Sequence, residues 1–442
     1  MPQAWQTNGA QPAAGLQPDL DHWWHAFGDA NLDRLIERAL RENLTVKIAG
    51  ERLRAARSVH HSTRSAFWPN LNFRIYEETA PGGQTGYLEM GFDSEWEFGF
   101  FGRAESTKRI HLADLDNAAI DEAAARVSLI AEVARDYIEL CAARQRSSLL
   151  TEVVEAKRRQ VELAEVRLRT HLGSQADADR ANGELQTALA EATEPAATGA
   201  QAEQSLAVLL GTDTPDFNTH DFDAQPAAVP ALPAIAIREA PADLLRTRPE
   251  IRRAEENVLH AAGELGIARA DLYPKFSIVG TLISSTALTG DLDHPNKAVP
   301  LIGPALTIPI LDWGARRDVV NAREAALSAA VLAYRESVIE SVAEVRSTLA
   351  QFDARTTQLD NAAQAVGTSA GARQRTQTLH RLGLADGFDL LNADLASAQA
   401  RLARMSAARE RALSYIALYK SLGGAMPAAR VEAGEKTADA AR

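Results

Sequence analysis

Apolar side chains recur at every second position of "GYLEMGFDSEWEFGFFGR", residues 86 to 103: Leu88, Met90, Phe92, Trp96, Phe98 and Phe100, interrupted only by Ser94. The positions between them are Tyr87, Glu89, Gly91, Asp93, Glu95, Glu97 and Gly99. Successive side chains of a strand point to opposite faces, so the pattern predicts a strand over about 87–101 with one aromatic face and one acidic face. Three more stretches alternate. "NLNFRIYE" sets Leu71, Phe73 and Ile75 against Asn72, Arg74 and Tyr76, predicting a strand over about 70–78. "KFSIVGTLI" predicts one over about 275–284, with Phe276, Ile278, Gly280 and Leu282 on one side. "PLIGPALTIPIL" predicts one over about 300–311, although Pro304 and Pro309 sit poorly in a central strand.

The intervening segments have a helical character. From Arg103 to Leu172 there is neither Gly nor Pro, predicting a helix over about 103–171. At 1.5 Å per residue it would reach roughly 100 Å. Its second half has a thin apolar seam of Leu150, Val154, Val161, Ala164 and Leu168, broken by Lys157. That spacing suits coiled-coil packing along narrow lines rather than a broad globular face. A second break-free run, from Ala315 to Val366, lies in a helix expected over about 315–381, and shorter helices are expected over about 175–210 and 386–422.

The chain also repeats itself. "NLTVKIA" at 43 matches "RPEIRRA" at 248, and "FWPNLNF" at 67 matches "LYPKFSI" at 272, both at an offset of 205. Gly102 matches Gly314 and "AEV" at 131 matches "AEV" at 343, both offset by 212, while Leu172-Gly173 matches Leu382-Gly383 at 210. Several of the matched marks are Pro and Gly, which argues for a duplication rather than for chance likeness among Ala-rich helices. The organisation is then an extended segment 1–20, a first repeat 21–211, a Pro-rich connector 212–241, a second repeat 242–424 and a disordered tail 425–442. "TRPE" at 247 to 250 has capping-box spacing with Pro249 in the first turn.

Composition removes several classes. The net charge of −12 argues against a nucleic-acid binder. One cysteine, Cys141, leaves no disulfide and no thiolate metal site, and it reads as a small core filler. No phosphate loop, dinucleotide fingerprint or nucleophile elbow occurs, so neither an enzyme nor a cofactor is expected. No run of eighteen apolar residues exists, so there is no membrane helix. The first residues have neither a basic start nor an apolar core and do not read as a signal peptide, which fits a cytoplasmic protein or a trimmed chain.

Alternation alone also suits a soluble sheet packed on helices, or a soluble coiled-coil scaffold. Strands in lipid face a stricter condition. Four cannot close a barrel, and an open sheet edge in hydrocarbon leaves backbone unsatisfied, so several chains would have to share one barrel.

The chain resembles the TolC-type outer membrane efflux factors, in particular the NodT-like group of tripartite drug efflux pumps. The likeness runs from about Asp21 to Gly424. It rests on "WWHAFGDANLDRLIERALREN" at 23, "SEWEFGFFGR" at 94, "DLLRTRPEIRRAEENVLHAAGELGIARADLYPKFSI" at 243, "PILDWGARR" at 309 and "LYKSLGG" at 418. It implies a mixed, mainly α fold in which a homotrimer shares a twelve-stranded barrel in the outer membrane, continued by a long α-helical barrel in the periplasm. It implies a passive duct working with a periplasmic adaptor (membrane fusion) protein and an inner-membrane efflux transporter. A duct for type I protein secretion is the alternative client. Members of the group usually carry a lipidated cysteine at the mature N-terminus, and no cysteine stands there in this chain.

On that reading Glu89, Asp93, Glu95 and Glu97 line the lumen, where threefold repetition would make carboxylate rings. Phe92, Trp96, Phe98 and Phe100 face lipid. Leu172, Gly173, Leu382, Gly383 and Leu384 form hairpin tips at which the adaptor docks, each glycine also supplying a left-handed helix cap. Asp386, Asp389 and Asn392 stand at the periplasmic gate, with Asp179 matched to Asp389 six residues past its glycine. A first-turn Asp favoured by the helix dipole is the plainer reading of Asp389. Arg169, Arg375 and Arg381 are candidates for ion pairs that hold the closed state.

Overall fold

The computed structural model describes residues 20–63, 65–79, 86–215, 228–233, 248–287 and 299–423. The N-terminal segment up to residue 19, most of the Pro-rich connector, the Thr247 cap, the turn at 80–85, the loop at 288–298 and the C-terminal tail lie outside them.

After a short 3₁₀ helix, Leu20–Phe27, come α1 (Ala30–Glu42), α2 (Leu44–Thr63), β1 (Asn70–Thr79), β2 (Gly86–Phe98), α3 (Arg103–Arg169), α4 (Gln175–Glu191) and α5 (Glu194–Leu209). The second half runs α6 (Pro249–Ala270), β3 (Lys275–Ala287), β4 (Val299–Thr307), α7 (Ala315–Arg381) and α8 (Gly387–Ser421). Three of the differences from the sequence expectation have a physical cause. The helix expected over 175–210 is two helices, broken at Ala192-Thr193, because Pro195 in the first turn of α5 has no N–H to continue the ladder. β2 stops at Phe98, since the backbone turns at Phe100 and Phe101, where φ reaches +56° at Phe101. β4 stops at Thr307, two residues before Pro309.

The chain forms two compact units. One comprises residues 1–48, 123–249 and 339–442. Its core gathers Trp23, Leu35 and Ile36 from the N-terminal elements, Tyr137, Ile138 and Cys141 from α3, Leu206 from α5, and Tyr415 and Tyr419 from α8. The Trp23 and Tyr419 rings stack at 5.7 Å, and the Tyr415 hydroxyl donates to the Trp23 carbonyl at 2.9 Å, so the buried phenol is satisfied. Cys141 is fully buried, and burial pushes its thiol up to about 12.

The seam read along α3 is used on two sides. Val154 and Ala156 pack with Ala188 of α4 and with Leu395 and Ala398 of α8. Ala164 meets Ala178 and Ala181, with Val161 and Leu168 beside them. Small residues at these contacts let the helices approach closely. Lys157, the break in the seam, reaches Glu184 of α4 at 2.5 Å.

The other unit comprises residues 49–122 and 250–338. It holds one antiparallel sheet in the order β1-β2-β3-β4. Beside the sheet the first turns of α3 run antiparallel to α6. His260 faces Asp114 at 3.4 Å and Asn257 faces Asn117 at 3.2 Å, and ion pairs join Arg253 to Asp121 and Arg103 to Asp271. Gly263 and Gly266 permit this approach: a Cβ on Gly266 would overlap the Ser106 hydroxyl, and one on Gly263 would sit 2.6 Å from Ile110 Cγ1.

Candidate functional site

Two regions carry the residues singled out from sequence: the sheet, and the ends of the two long-helix hairpins.

In the sheet, β2 lies between β1 and β3, with Phe92 opposite both Phe73 and Leu282, and Met90 opposite both Ile75 and Ser284. Trp96 opposes Ile278 and Phe98 opposes Phe276, which in turn opposes Leu306 of β4. Because side chains alternate, this register collects most of the apolar positions of the four strands on one face. The Phe73 and Phe92 rings lie 5.0 Å apart and those of Trp96 and Phe98 4.5 Å apart. Phe73, Ile75, Phe92, Ile302 and Leu306 are exposed. Phe100, expected on the strand, stands in the turn beyond it, yet its ring stacks on Phe98 at 5.5 Å and meets Phe276 edge-on at 5.6 Å. It therefore extends the aromatic patch by a different backbone route.

The opposite face carries Glu89, Asp93, Glu95 and Glu97 together with Asn70, Asn72, Arg74, Ser277 and Thr281. Val279, Ile283 and Leu301 are apolar exceptions on it. The four carboxylates are not equivalent. Asp93 is paired with Arg74 at 2.9 Å and lies 3.4 Å from the Asn72 amide, and Glu97 is 3.4 Å from Arg103. Glu89 and Glu95 have no ion pair among the described residues. Half of the expected acidic face is thus neutralised within the chain.

The hairpin ends are built alike. α3 closes with His171 in the left-handed region at φ +60°, and the Leu172 N–H donates to the Arg167 carbonyl at 2.8 Å. α7 closes with Gly383 at φ +73°, and the Leu384 N–H donates to the Leu379 carbonyl at 2.8 Å. His171 therefore does at the first tip what Gly383 does at the second, which corrects the expectation that Gly173 caps α3. Gly173 serves close packing, since a Cβ there would lie 3.1 Å from the Arg167 Cβ. Leu172, Leu382 and Leu384 are all exposed.

Each following helix opens with a capping box, Ser174 with Asp177 on α4 and Asp386 with Asp389 on α8. Leu172, Ser174 and Asp177 are thus the counterparts of Leu384, Asp386 and Asp389, at the same 212 offset that relates Gly102 to Gly314. Asp179, matched to Asp389 from sequence, is instead a helix-surface residue accepting from Gln175 at 2.9 Å. The S-x-x-D and D-x-x-D spacings were the available signal for the boxes.

Near the tip, side-chain bonds tie the start of α8 back to α3 or to α7. Arg167 donates to Asp386 at 2.8 Å and lies 4.6 Å above the Phe388 ring. Gln160 donates to the Asn392 side-chain oxygen at 2.9 Å. Arg373 pairs with Asp394 at 2.5 Å. The hydrogen bond from the Asp389 N–H, aided by the Arg167 charge, holds the Asp386 carboxyl below the usual carboxylate range, against an opposing effect of burial. Arg169, Arg375 and Arg381, the cations expected to pair here, form no ion pair among the described residues. The pairing arginines stand two positions earlier, on the faces turned towards α8. Asp389 is exposed, and among the described residues its carboxylate bonds only the Asp386 N–H, at 3.0 Å.

A model of the outer membrane efflux protein family matches residues 35–212 and 240–424. The chain belongs to the outer membrane efflux protein family. It is 25% identical over 433 residues to nodulation protein T of Rhizobium leguminosarum bv. viciae, covering 96% of this chain and 88% of that one. It is 26% identical to outer membrane protein OprJ of Pseudomonas aeruginosa, covering 95% and 89%. The solved structure of the outer-membrane channel OprN superposes with a TM-score of 0.81 at 27% identity, covering 96% of this chain and 97% of that one. As an outer membrane efflux protein, the chain is a mainly helical outer membrane component of an efflux system, from a family of channel proteins. No described helix is long and apolar enough to cross a membrane.

Proposed function

We propose that three copies of this efflux protein build one passive exit duct for drugs or other small molecules. Their twelve strands form one barrel in the outer membrane. Their long helices form the wall of a helical conduit in the periplasm, its tips engaging an adaptor bound to an inner-membrane transporter.

The sheet is the observation that carries this reading. It has an apolar face exposed in the single chain, and among the described residues its outer strands β1 and β4 each keep one edge unpaired. Neither condition suits a sheet standing alone. In hydrocarbon both are resolved at once by closing the sheet with further copies, because a closed barrel has no edges. Strands of 9 to 13 residues match the ~9–11 needed to span a membrane at a tilt. Phe92, Trp96 and Phe98 then face lipid, with Phe100 at the rim. Glu89, Asp93, Glu95 and Glu97 face water, and Glu89 and Glu95 carry the net charge of the acidic rings.

At the hairpin tips, exposed Leu172, Leu382 and Leu384 offer the apolar contact for adaptor hairpins. Asp389 is the gate carboxylate, repeated three times around the axis. Asp386 and Asn392 brace α8 to α3 through Arg167 and Gln160.

Electron imaging of the detergent-purified protein tests the duct. The expected result is hollow cylinders with threefold end views, together with ohmic conductance in planar bilayers. Compact monomeric particles that need no detergent would overturn it.

A further inference from the structure

A cleft of about 150 Å³ opens on the polar face of the sheet around Gly91. Three cross-strand rows build it. Arg74, Gly91 and Ile283 form the middle row, Tyr76, Glu89 and Ser285 the row on one side, and Asn72, Asp93 and Thr281 the row on the other. Side chains directly opposite on one face stand only ~4.5–5.5 Å apart, so a row whose central member has no side chain leaves a gap between its neighbours. Arg74 is drawn to Asp93, its Nε 2.9 Å from Oδ1. Glu89 is then the one carboxylate of the cleft that has no ion pair among the described residues, and it is half-buried.

The duplication supplies a comparison inside the chain. Gly91 corresponds to Gly303 at the offset of 212, and Arg74 to Val279 at the offset of 205. Val279 lies opposite Gly303 as Arg74 lies opposite Gly91. The mid-strand glycine therefore recurs at the same place in the pairing. Its surroundings do not: Leu301 and Ala305 stand where Glu89 and Asp93 stand, and Thr281 stands where Tyr76 does. Strand pairing needs neither the acid nor the aromatic ring, so the walls of the Gly91 cleft are chemistry added to a shared backbone.

We propose that the Gly91 cleft is a binding subsite for organic cations that carry a small apolar group. The proposal rests on the duct reading, which turns this face to the lumen, and it names a class of cargo that touches the wall on its way out. The Glu89 carboxylate attracts the ammonium, and its partial burial leaves it less screened than exposed Glu95. The Tyr76 ring, opposite Glu89, offers an aromatic face to the same charge. Ile283, across Gly91, takes the apolar group. A cavity of about 150 Å³ holds a benzene-sized group, so the cleft fits one alkyl- or arylammonium head rather than a whole large drug. An anion is repelled by Glu89, and an inorganic cation gains nothing from Ile283.

The test is saturation-transfer NMR on the full chain in an uncharged detergent, with benzyltrimethylammonium as the probe and benzenesulfonate as its anionic counterpart. Benzyltrimethylammonium is expected to bind saturably and benzenesulfonate is not. Glu89→Gln removes the charge and Ile283→Thr the apolar wall, and each should weaken binding about fivefold. Glu95→Gln removes the same charge from the same face outside the cleft and should weaken it less than about twofold. No binding by the parent, binding that either cleft variant leaves unchanged, or equal weakening by Glu89→Gln and Glu95→Gln overturns the subsite. Bilayer conductance and particle symmetry of the same preparation are read separately. Where a threefold, conducting particle is found, those outcomes overturn the subsite and leave the duct standing. A monomer without conductance overturns the duct, and with it any role of the cleft in export, even if the probe binds.

Discussion

Arg167 of α3 donates to Asp386 at 2.8 Å, and Asp386 is also the residue that caps α8. One carboxylate therefore starts α8 and ties it to its neighbour. On the proposed reading, this contact holds the gate helix inward. A partly exposed ion pair contributes under ~1 kcal/mol, so Arg167→Ala should raise the open fraction by about fivefold at most. Single-channel recordings should show more frequent or larger openings than in the parent. Asp389→Ala is expected to increase conductance by relieving threefold repulsion, and an unchanged conductance would remove Asp389 from the gate.

Capping can be separated from gating. Ser174→Ala and Asp386→Ala each remove an N-cap acceptor, a loss of about 1 kcal/mol of local helix stability. Both should speed proteolytic nicking near their hairpin tips. Only Asp386→Ala should also change conductance, because Ser174 makes no bond to α8 among the described residues, its partner being Asp177. Equal conductance effects from the two variants would mean that tip order, not the Arg167 contact, sets the gate.

The larger architecture was legible because it is written in spacing. Alternation at Phe92, Trp96, Phe73 and Ile278 assigned the faces of the sheet, and the Pro and Gly marks exposed the duplication. The left-handed cap of the first tip was not legible, because two glycines invite alignment. Backbone conformation matches His171, not Gly173, to Gly383, and a histidine at positive φ leaves no compositional trace. The pairing arginines were misplaced by two positions, because proximity in sequence does not say which helix face meets the neighbour. The break at Ala192 needed only Pro195 to be taken as a helix start.

The two sheet faces should respond oppositely to charge. Phe92→Lys puts an ammonium on the face proposed to meet lipid, at a cost of ~2–4 kcal/mol near mid-membrane. Heat-resistant oligomer in the membrane fraction should fall sharply. Asp93→Lys, one residue away on the polar face, should insert normally and lower cation preference in bilayer recordings. If both variants insert alike, the apolar face does not contact lipid.

Gly91 should prove irreplaceable and Gly280 not. A Cβ at Gly91 would overlap the Leu282 carbonyl oxygen and lie 2.8 Å from the Ile283 Cα, all backbone that cannot give way. The nearest atom to a Cβ at Gly280 is 3.7 Å away, an ordinary contact. Gly91→Ala should lower the yield of folded protein several-fold, while Gly280→Ala should stay near the parent level. Equal yields would show that the β2·β3 seam adjusts freely there.

Glu256 of α6 gives a pH dependence with a definite sign. One of its carboxylate oxygens is buried without a hydrogen-bond partner. Burial, then repulsion from Asp116 and Glu255, raises it from the ordinary glutamate value to about 7, only partly opposed by Arg252. Asp116 is also raised by burial, against Arg252 and His60. The folded state thus holds a proton that the unfolded chain releases near pH 4.5. The resulting stabilisation is fully present below that pH and is lost as pH rises through about 7. Glu256→Gln keeps the shape without the charge. Its thermal midpoint should exceed the parent's most at pH 8 and least near pH 5, in the same detergent. Two curves that run parallel across that range would mean that Glu256 reaches water or a cation at neutral pH, and that its neighbours do not constrain its charge.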